Sequence, residues 1–350
     1  MASATMLYMG TRQGLFVASR PGTSREWHLT RHTLDGRPVA QLVVGSTLPA
    51  RLLAAVPGVG LFHSANGGRE WMLTLPLAVS ALLADPLDPE CIYAGLDQRP
   101  DSGSHPSTPG VPAASMVMMS QDGGLSWRPG GEMPATPTRV RSLALSEGLR
   151  AIDNRTLWAG LESGGVLYST DSGEHWQGML LGLDPREPVR ELAGIGPTAT
   201  DLFAATRRGL YRLAQGQRAS DASWKGSNFA WRLIGVKALQ DVKHLLVLGR
   251  MNPPTRMPPA LLAVDRPGQF LRSEDGGVIW SALTFPVPSG ESAANADISA
   301  LAPHPEYPDR GYAATHGGRI YETRTRGTAW DDTGLQPDGA VFSLAVVVLK

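Results

Sequence analysis

The chain has 350 residues, enough to bury a large core, and its 32 basic and 32 acidic side chains leave it formally neutral. A neutral chain without a long Lys/Arg run lacks the electrostatic footprint of a nucleic-acid-binding protein, and no segment is apolar for long enough to span a bilayer. The first residues carry neither a positive region nor an apolar run of signal length, so the cytoplasm is the default expectation, and the lone Cys91 excludes an intrachain disulfide and a thiolate metal cluster.

Taken in chain order, the sequence opens on a β run over residues 6–10 and then repeats one pattern. Residues 19–27 hold a first, stretched copy of a turn that closes on Trp27. Residues 64–71 carry the same turn with Asn66 at its centre, and residues 120–127 and 169–176 fit S-x-D-x-G-x-x-W with Asp122 and Asp171. The copy before Trp231 has lost its turn, residues 273–280 restore it with Asp275, and residues 323–330 keep only the outline, with Thr325 in place of the acid. Trp27, Trp71, Trp127, Trp176, Trp231, Trp280 and Trp330 are thereby spaced by 44, 56, 49, 55, 49 and 50 residues.

Each turn is self-sufficient: a short Asp or Asn accepts from N–H groups of its own loop, Gly supplies a positive φ, and Trp packs back over it. Short β runs precede every copy, such as residues 140–145, 157–160 and 166–169, so each unit reads as four strands, a to d, with the turn joining c to d. Units of this size cannot bury their faces alone, but stacking them radially does so and leaves only short edges. The fold expected is all-β: a seven-bladed β-propeller of four-stranded antiparallel blades, one domain over residues 1–350. Blade 1 lacks a strand a at the N-terminus, and residues 341–348 match that pattern, so the C-terminal strand is expected to close the ring.

The motif resembles the Asp box, or BNR repeat, of sialidases, related glycoside hydrolases, sortilin-type receptors and photosystem assembly propellers. The resemblance covers nearly the whole chain and implies that Asp122, Asp171 and Asp275 lie at the periphery and maintain structure. It does not bring the sialidase machinery: the Arg-Ile-Pro signature is absent, and Tyr8, Tyr93, Tyr168, Tyr211, Tyr312 and Tyr321 recur at strand positions that call for packing. Cys91, before strand b of blade 3, reads as a small core residue, and His28, His63 and His175 as structural or surface groups. No metal site and no cofactor are expected, because the turns satisfy themselves and no H-E-x-x-H or tight His pair occurs.

Function belongs on the opposite face, where the d-a and b-c loops surround the channel. With the apolar start of strand a as reference (Val39, Val79, Val140, Val189, Val242, Ile298, Val341), the next residue is Ala40, Ser80, Arg141, Arg190, Lys243, Ser299 and Phe342. Blades 4, 5 and 6 thus present a cation at one level. The preceding position adds Arg139, Asp241 and Asp297, and the b-c corners read Arg12, Pro57, Asp97, Glu162, Arg207, Arg266 and His316. The leading expectation is binding: Arg139, Arg141, Arg190, Lys243 and Arg207 receive an anionic small molecule, such as a sugar acid, or a protein partner over blades 4 to 7, with Glu191 beside them. Asp241 and Glu191 are the expected internal partners of the cations. The alternative is a glycoside hydrolase or lyase in which two of Glu162, Glu191, Asp241 and Asp297, set about 5 to 9 Å apart, divide the acid and base work, with His316 as proton carrier. A Pro-rich insertion at residues 98–114 is expected to cross the channel face, a second at 251–259 to project from the other face, and residues 214–227 to replace the Asp turn of blade 5.

Overall fold

The computed structural model describes residues 3–45, 50–99, 112, 115–134, 139–146, 155–194, 202–215, 229–235, 239–249, 259–266, 268–286, 290 and 292–349. They form a seven-bladed propeller of four-stranded antiparallel sheets, each ordered a-b-c-d outward from the channel. A single turn of helix, Ala293–Ala296, interrupts the all-β chain. The bodies of the three insertions lie outside the described residues.

The predicted turns join strand c to strand d. In blade 3, Ser120 Oγ donates to Asp122 Oδ1 at 2.8 Å and accepts from Gly124 N at 2.8 Å, while Asp122 Oδ1 also accepts from Leu125 N and Ser126 N at 3.0 and 2.9 Å. Desolvation works against the charged carboxylate, but the Ser126 and Ser120 donors outweigh it and hold Asp122 at about 2. Asn66 accepts from Arg69 N and Glu70 N through its Oδ1 in the same way, which explains why an amide suffices in blade 2. Two consecutive residues take positive φ here, Gly123 and Gly124 in blade 3, but Ser172 and Arg326 occupy the first of these positions in blades 4 and 7. Asp122→Ala is expected to cost about 1–2 kcal/mol, as for loss of a helix cap, and Asp122→Asn much less. Urea denaturation of the two variants checks this, and an alanine variant as stable as the parent would contradict the structural role.

The core lies between blades. Tyr8, Tyr93, Tyr211, Tyr312 and Tyr321 are buried in it and Tyr168 is half-buried, as their strand positions required. Cys91 is half-buried with its thiol pushed up by burial. The valines that begin strand a pack into the neighbouring blade at glycines of strand b. A Cβ on Gly95 would stand 2.6 Å from Val140 Cγ1, and one on Gly160 2.7 Å from Val189 Cγ1, so the close approach requires Gly at both places.

Past this anchor, strand a is bulged. Val140 faces Leu161 and Ser142 faces Gly160, leaving Arg141 as the extra residue; Ser80, Arg190, Ser299 and Phe342 are extra in the same way in four other blades. A bulge re-aims the side chain it inserts. The level picked out by the ring comparison is therefore a structural position, and it feeds the channel.

The ring closes as the surplus C-terminal strand requires: Val341–Leu349 pairs with Ala4–Thr11, with Leu7 opposite Val346. Beside this closure, blades 1 and 7 share a buried network. Arg20 donates to Glu322 Oε2 and Oε1 at 2.6 and 2.9 Å, Tyr312 OH donates to Glu322 Oε1 at 3.0 Å, and the Arg20 guanidinium lies 4.5 Å from the centre of the Trp27 ring.

Candidate functional site

The channel face opens into a central cavity of 830 Å³, within the range of small-molecule sites. Of the residues singled out from the sequence, Arg139, Arg141, Arg190, Glu191, Lys243, Asp297 and His316 line it. Glu162 and Asp241 stand behind that lining and reach it through ion pairs. Arg207 is exposed at the b-c corner of blade 5 and does not line the cavity; its carbonyl accepts from Asp241 N at 2.8 Å. Strand b of blade 5 ends at Thr206, and Arg207, in the turn that follows, keeps its side chain in solvent.

Each cation at this level has its own carboxylate. Arg141 pairs through Nε with Glu162, Arg190 NH2 lies 2.5 Å from Asp241 Oδ1, and Lys243 pairs with Asp297. Arg139 Nε lies 3.4 Å from Asp97 Oδ2, and Arg266 Nε 3.8 Å from Asp241 Oδ2. The Arg141 hydrogen bond, more than desolvation, sets Glu162, and it holds the carboxyl below its usual range. Asp241 takes a left-handed backbone, φ 51°, which a short acid tolerates better than most side chains.

The expectation that Glu191 neutralises the cations is corrected. Its Oε2 instead accepts from Leu245 N of blade 6 at 2.9 Å, as Ser142 Oγ accepts from Leu192 N of blade 5 at 2.9 Å. Two residues past each valine the chain points along the seam between blades, so Glu191 meets the neighbour's backbone rather than a cation. Among the described residues it has no Arg or Lys partner. Its side chain is 34% exposed to the cavity, yet crowding by protein raises it to about 7, with the Leu245 N–H pulling the other way. His244, whose Nδ1 is 3.9 Å from Glu191 Oε2, is lowered to about 4 by desolvation and then by Lys243, and so is neutral at neutral pH.

His244 lines the cavity without having been singled out, and Arg266, named only as a b-c corner, lines it too. The signal for His244 lies one residue past the cationic level, where the ring reads Gln41, Ala81, Ser142, Glu191, His244, Ala300 and Ser343. One residue further stand Leu42, Leu82, Leu143, Leu192, Leu245, Leu301 and Leu344, and six of these leucines form an apolar wall beneath the polar levels. In six blades an alanine of strand b sits opposite, leaving room for the larger side chain. Among the described residues no group of three His, Cys, Asp or Glu is placed to hold a metal, and no helix is long and apolar enough to cross a membrane.

No model of a known protein family matches the chain, and no protein of curated function matches it in sequence. Its fold is similar to that of a GH74 xyloglucanase from Xanthomonas campestris, with 15% identity and a TM-score of 0.56 over 84% of this chain. The chain spans only 45% of that enzyme. It is similar at full scale to YCF48 from Cyanidioschyzon merolae, with 15% identity, a TM-score of 0.55 and 87% of each chain covered. A structure of YCF48 bound to D1 peptide matches at 14% identity and a TM-score of 0.53, covering 85% of this chain and 82% of the other. These likenesses bear out the β-propeller fold, and the chemistry has to be argued from the residues of the channel.

Proposed function

We propose that the protein is a rigid binding propeller that holds an anionic small molecule at the channel mouth over blades 4 to 7. One observation carries this: among the described residues, five cations (Arg139, Arg141, Arg190, Lys243 and Arg266) line the cavity against two carboxylates, Glu191 and Asp297. Arg141 commits only its Nε to Glu162, which leaves its two terminal NH2 groups for a ligand carboxylate or sulfate; no described residue takes them. The remaining lining, Gln41, Ser80, Ser343 and the leucine wall, suits a ligand with a hydroxylated or apolar body. A protein partner offering an acidic side chain would use the same groups, a reading supported by the structure of YCF48, similar in fold, bound to D1 peptide.

The hydrolase or lyase reading has less support. Glu162, Asp241 and Asp297 are each committed to an ion pair, and the buried tyrosines are packed in the core, so the sialidase nucleophile has no counterpart among the described residues. The xyloglucanase likeness supports the fold of such an enzyme and nothing of its site.

Thermal melting at constant ionic strength against sulfate, glucuronate and an acidic peptide tests the binding reading. At least one is expected to raise Tm. Arg141→Ala should abolish that rise while costing about 1 kcal/mol of stability, the upper end for a partly exposed ion pair such as Arg141–Glu162. An unresponsive parent, or an Arg141→Ala variant that responds like the parent, would sink the proposal.

A further inference from the structure

Of the acids around this mouth, Glu191 is placed differently from the rest. Asp97, Glu162, Asp241 and Asp297 each sit within ion-pair distance of an arginine or lysine, whereas Glu191 touches a backbone N–H and a histidine. The charged and titratable groups around it can be named element by element. Strand a of blade 4 (Val140–Ser146) brings Arg141, with Glu162 behind it; its own strand (Val189–Gly194) brings Arg190, held by Asp241. Strand a of blade 6 (His244–Leu248) brings His244 and, just before it, Lys243, held by Asp297; strand b of blade 5 (Leu202–Thr206) and strand b of blade 4 (Thr156–Leu161) bring none, and His316 and Arg266 line the same cavity.

We infer that an anion entering this mouth binds together with a proton, and that Glu191 carries it. This deepens the binding reading above and rests on it. An anion held by the terminal nitrogens of Arg141 would enter the same cavity that Glu191 lines, and two negative charges in a partly desolvated cavity disfavour one another. Arg190 and Lys243, the cations beside Glu191 in the chain and on the next blade, do not offset its charge, since Asp241 and Asp297 already hold them. His244 does not compensate either, because it stays neutral until well below neutral pH. With the ligand-free carboxyl balanced near 7, the cheapest response to the incoming charge is to take up a proton. Linkage then fixes the sign: occupancy raises the Glu191 pKa, so affinity is greatest below neutrality and declines as pH rises through the ligand-free value and up to the bound one. A rise of about one unit on binding corresponds to about a tenfold loss of affinity over that window.

The experiment has a ligand-free and a ligand-bound arm, both on the full chain. Carboxyl 13C NMR of glutamate-labelled protein should show one resonance titrating near 7 that is missing from Glu191→Gln. A Glu191 midpoint in the ordinary range near 4.3 would overturn the inference whether or not any anion binds. Calorimetry with sodium sulfate, a dianion throughout pH 6–8.5, in buffers of different ionisation enthalpy at pH 7 should show net proton uptake by the parent. Glu191→Gln, which keeps an acceptor for the Leu245 N–H, should bind without uptake and with affinity insensitive to pH. Sulfate binding by the parent without proton uptake overturns this proposal and leaves the anion site standing. A parent that ignores sulfate, glucuronate and the acidic peptide at every pH removes the anion site and this proposal together. Both decisive measurements are made on the parent protein, so the test survives a poorly folding variant.

Discussion

Deleting residues 340–350 should leave the protein largely unfolded or aggregated at ambient temperature. The segment supplies strand a of blade 1, and its removal strips the partner from all eight residues of Ala4–Thr11 in the ladder. It also uncovers Leu7 and Met9, which are completely buried, and takes Val341 and Leu344 from the core shared with blade 7. Each fully buried side chain of this size contributes about 1.5–3 kcal/mol, and the ladder adds to that, so the summed loss is comparable with the whole stability of a typical domain, about 5–15 kcal/mol. The exposed strand would also offer an unpaired edge to other molecules. Sedimentation and thermal melting check this. A truncated protein that sediments and melts like the parent would show that closure contributes little.

Glu322→Ala should be the most damaging single substitution at the closing seam, costing about 3–5 kcal/mol. Glu322 and Arg20 are buried, and together with Tyr312 they satisfy one another across blades 1 and 7. Arg324 adds a further donor to Glu322 Oε2 at 2.8 Å. Truncating the acid leaves the guanidinium of Arg20 out of water without its counter-ion, whereas replacing both partners, as in Arg20→Met with Glu322→Leu, should bring stability back to within about 1 kcal/mol of the parent. The pair also predicts a pH effect. Burial opposes ionisation of Glu322, but the hydrogen bonds from Arg20 and Arg324 outweigh it and lower the carboxyl to about 2. Its contribution is therefore complete above the unfolded value near 4.3 and is lost as pH falls from there toward 2. Denaturation between pH 6 and 3 should show the double variant losing less stability than the parent. Equal slopes, or a Glu322→Ala variant within about 1 kcal/mol of the parent, would count against the clasp.

The outline of the fold was legible because its signals are local. A turn that bonds to itself needs the same residues wherever it occurs, so Asp122, Asp171 and Asp275 announce it without reference to the rest of the chain, and the missing and surplus strands at the two ends announce the closure. The cationic level was legible for a related reason: ring symmetry brings Arg141, Arg190 and Lys243, spaced by about one repeat, to equivalent places. The clasp was not. Arg20 and Glu322 are 302 residues apart and belong to blades 1 and 7, at opposite ends of the chain, where the motif is only loosely kept.

Within the site, residue types and level follow from sequence, but pairing does not. Which acid meets Arg190 depends on how far the strand of blade 6 is set from that of blade 5 and on the left-handed backbone at Asp241, neither of which leaves a mark in the spacing. Glu191 looked like one more counter-ion because charge alone was visible. A bulge moves every later residue by one place, and that shift directs its carboxylate along the seam to Leu245 N. By itself, then, the sequence determined the repeat, the number of blades, the closing strand and the side of the ring on which charge collects, all of which follow from short-range turn chemistry and periodicity. Only the tertiary structure decided which charges neutralise one another and which carboxyl is left without a cation, because those outcomes depend on sub-ångström to few-ångström distances between blades that share no local sequence.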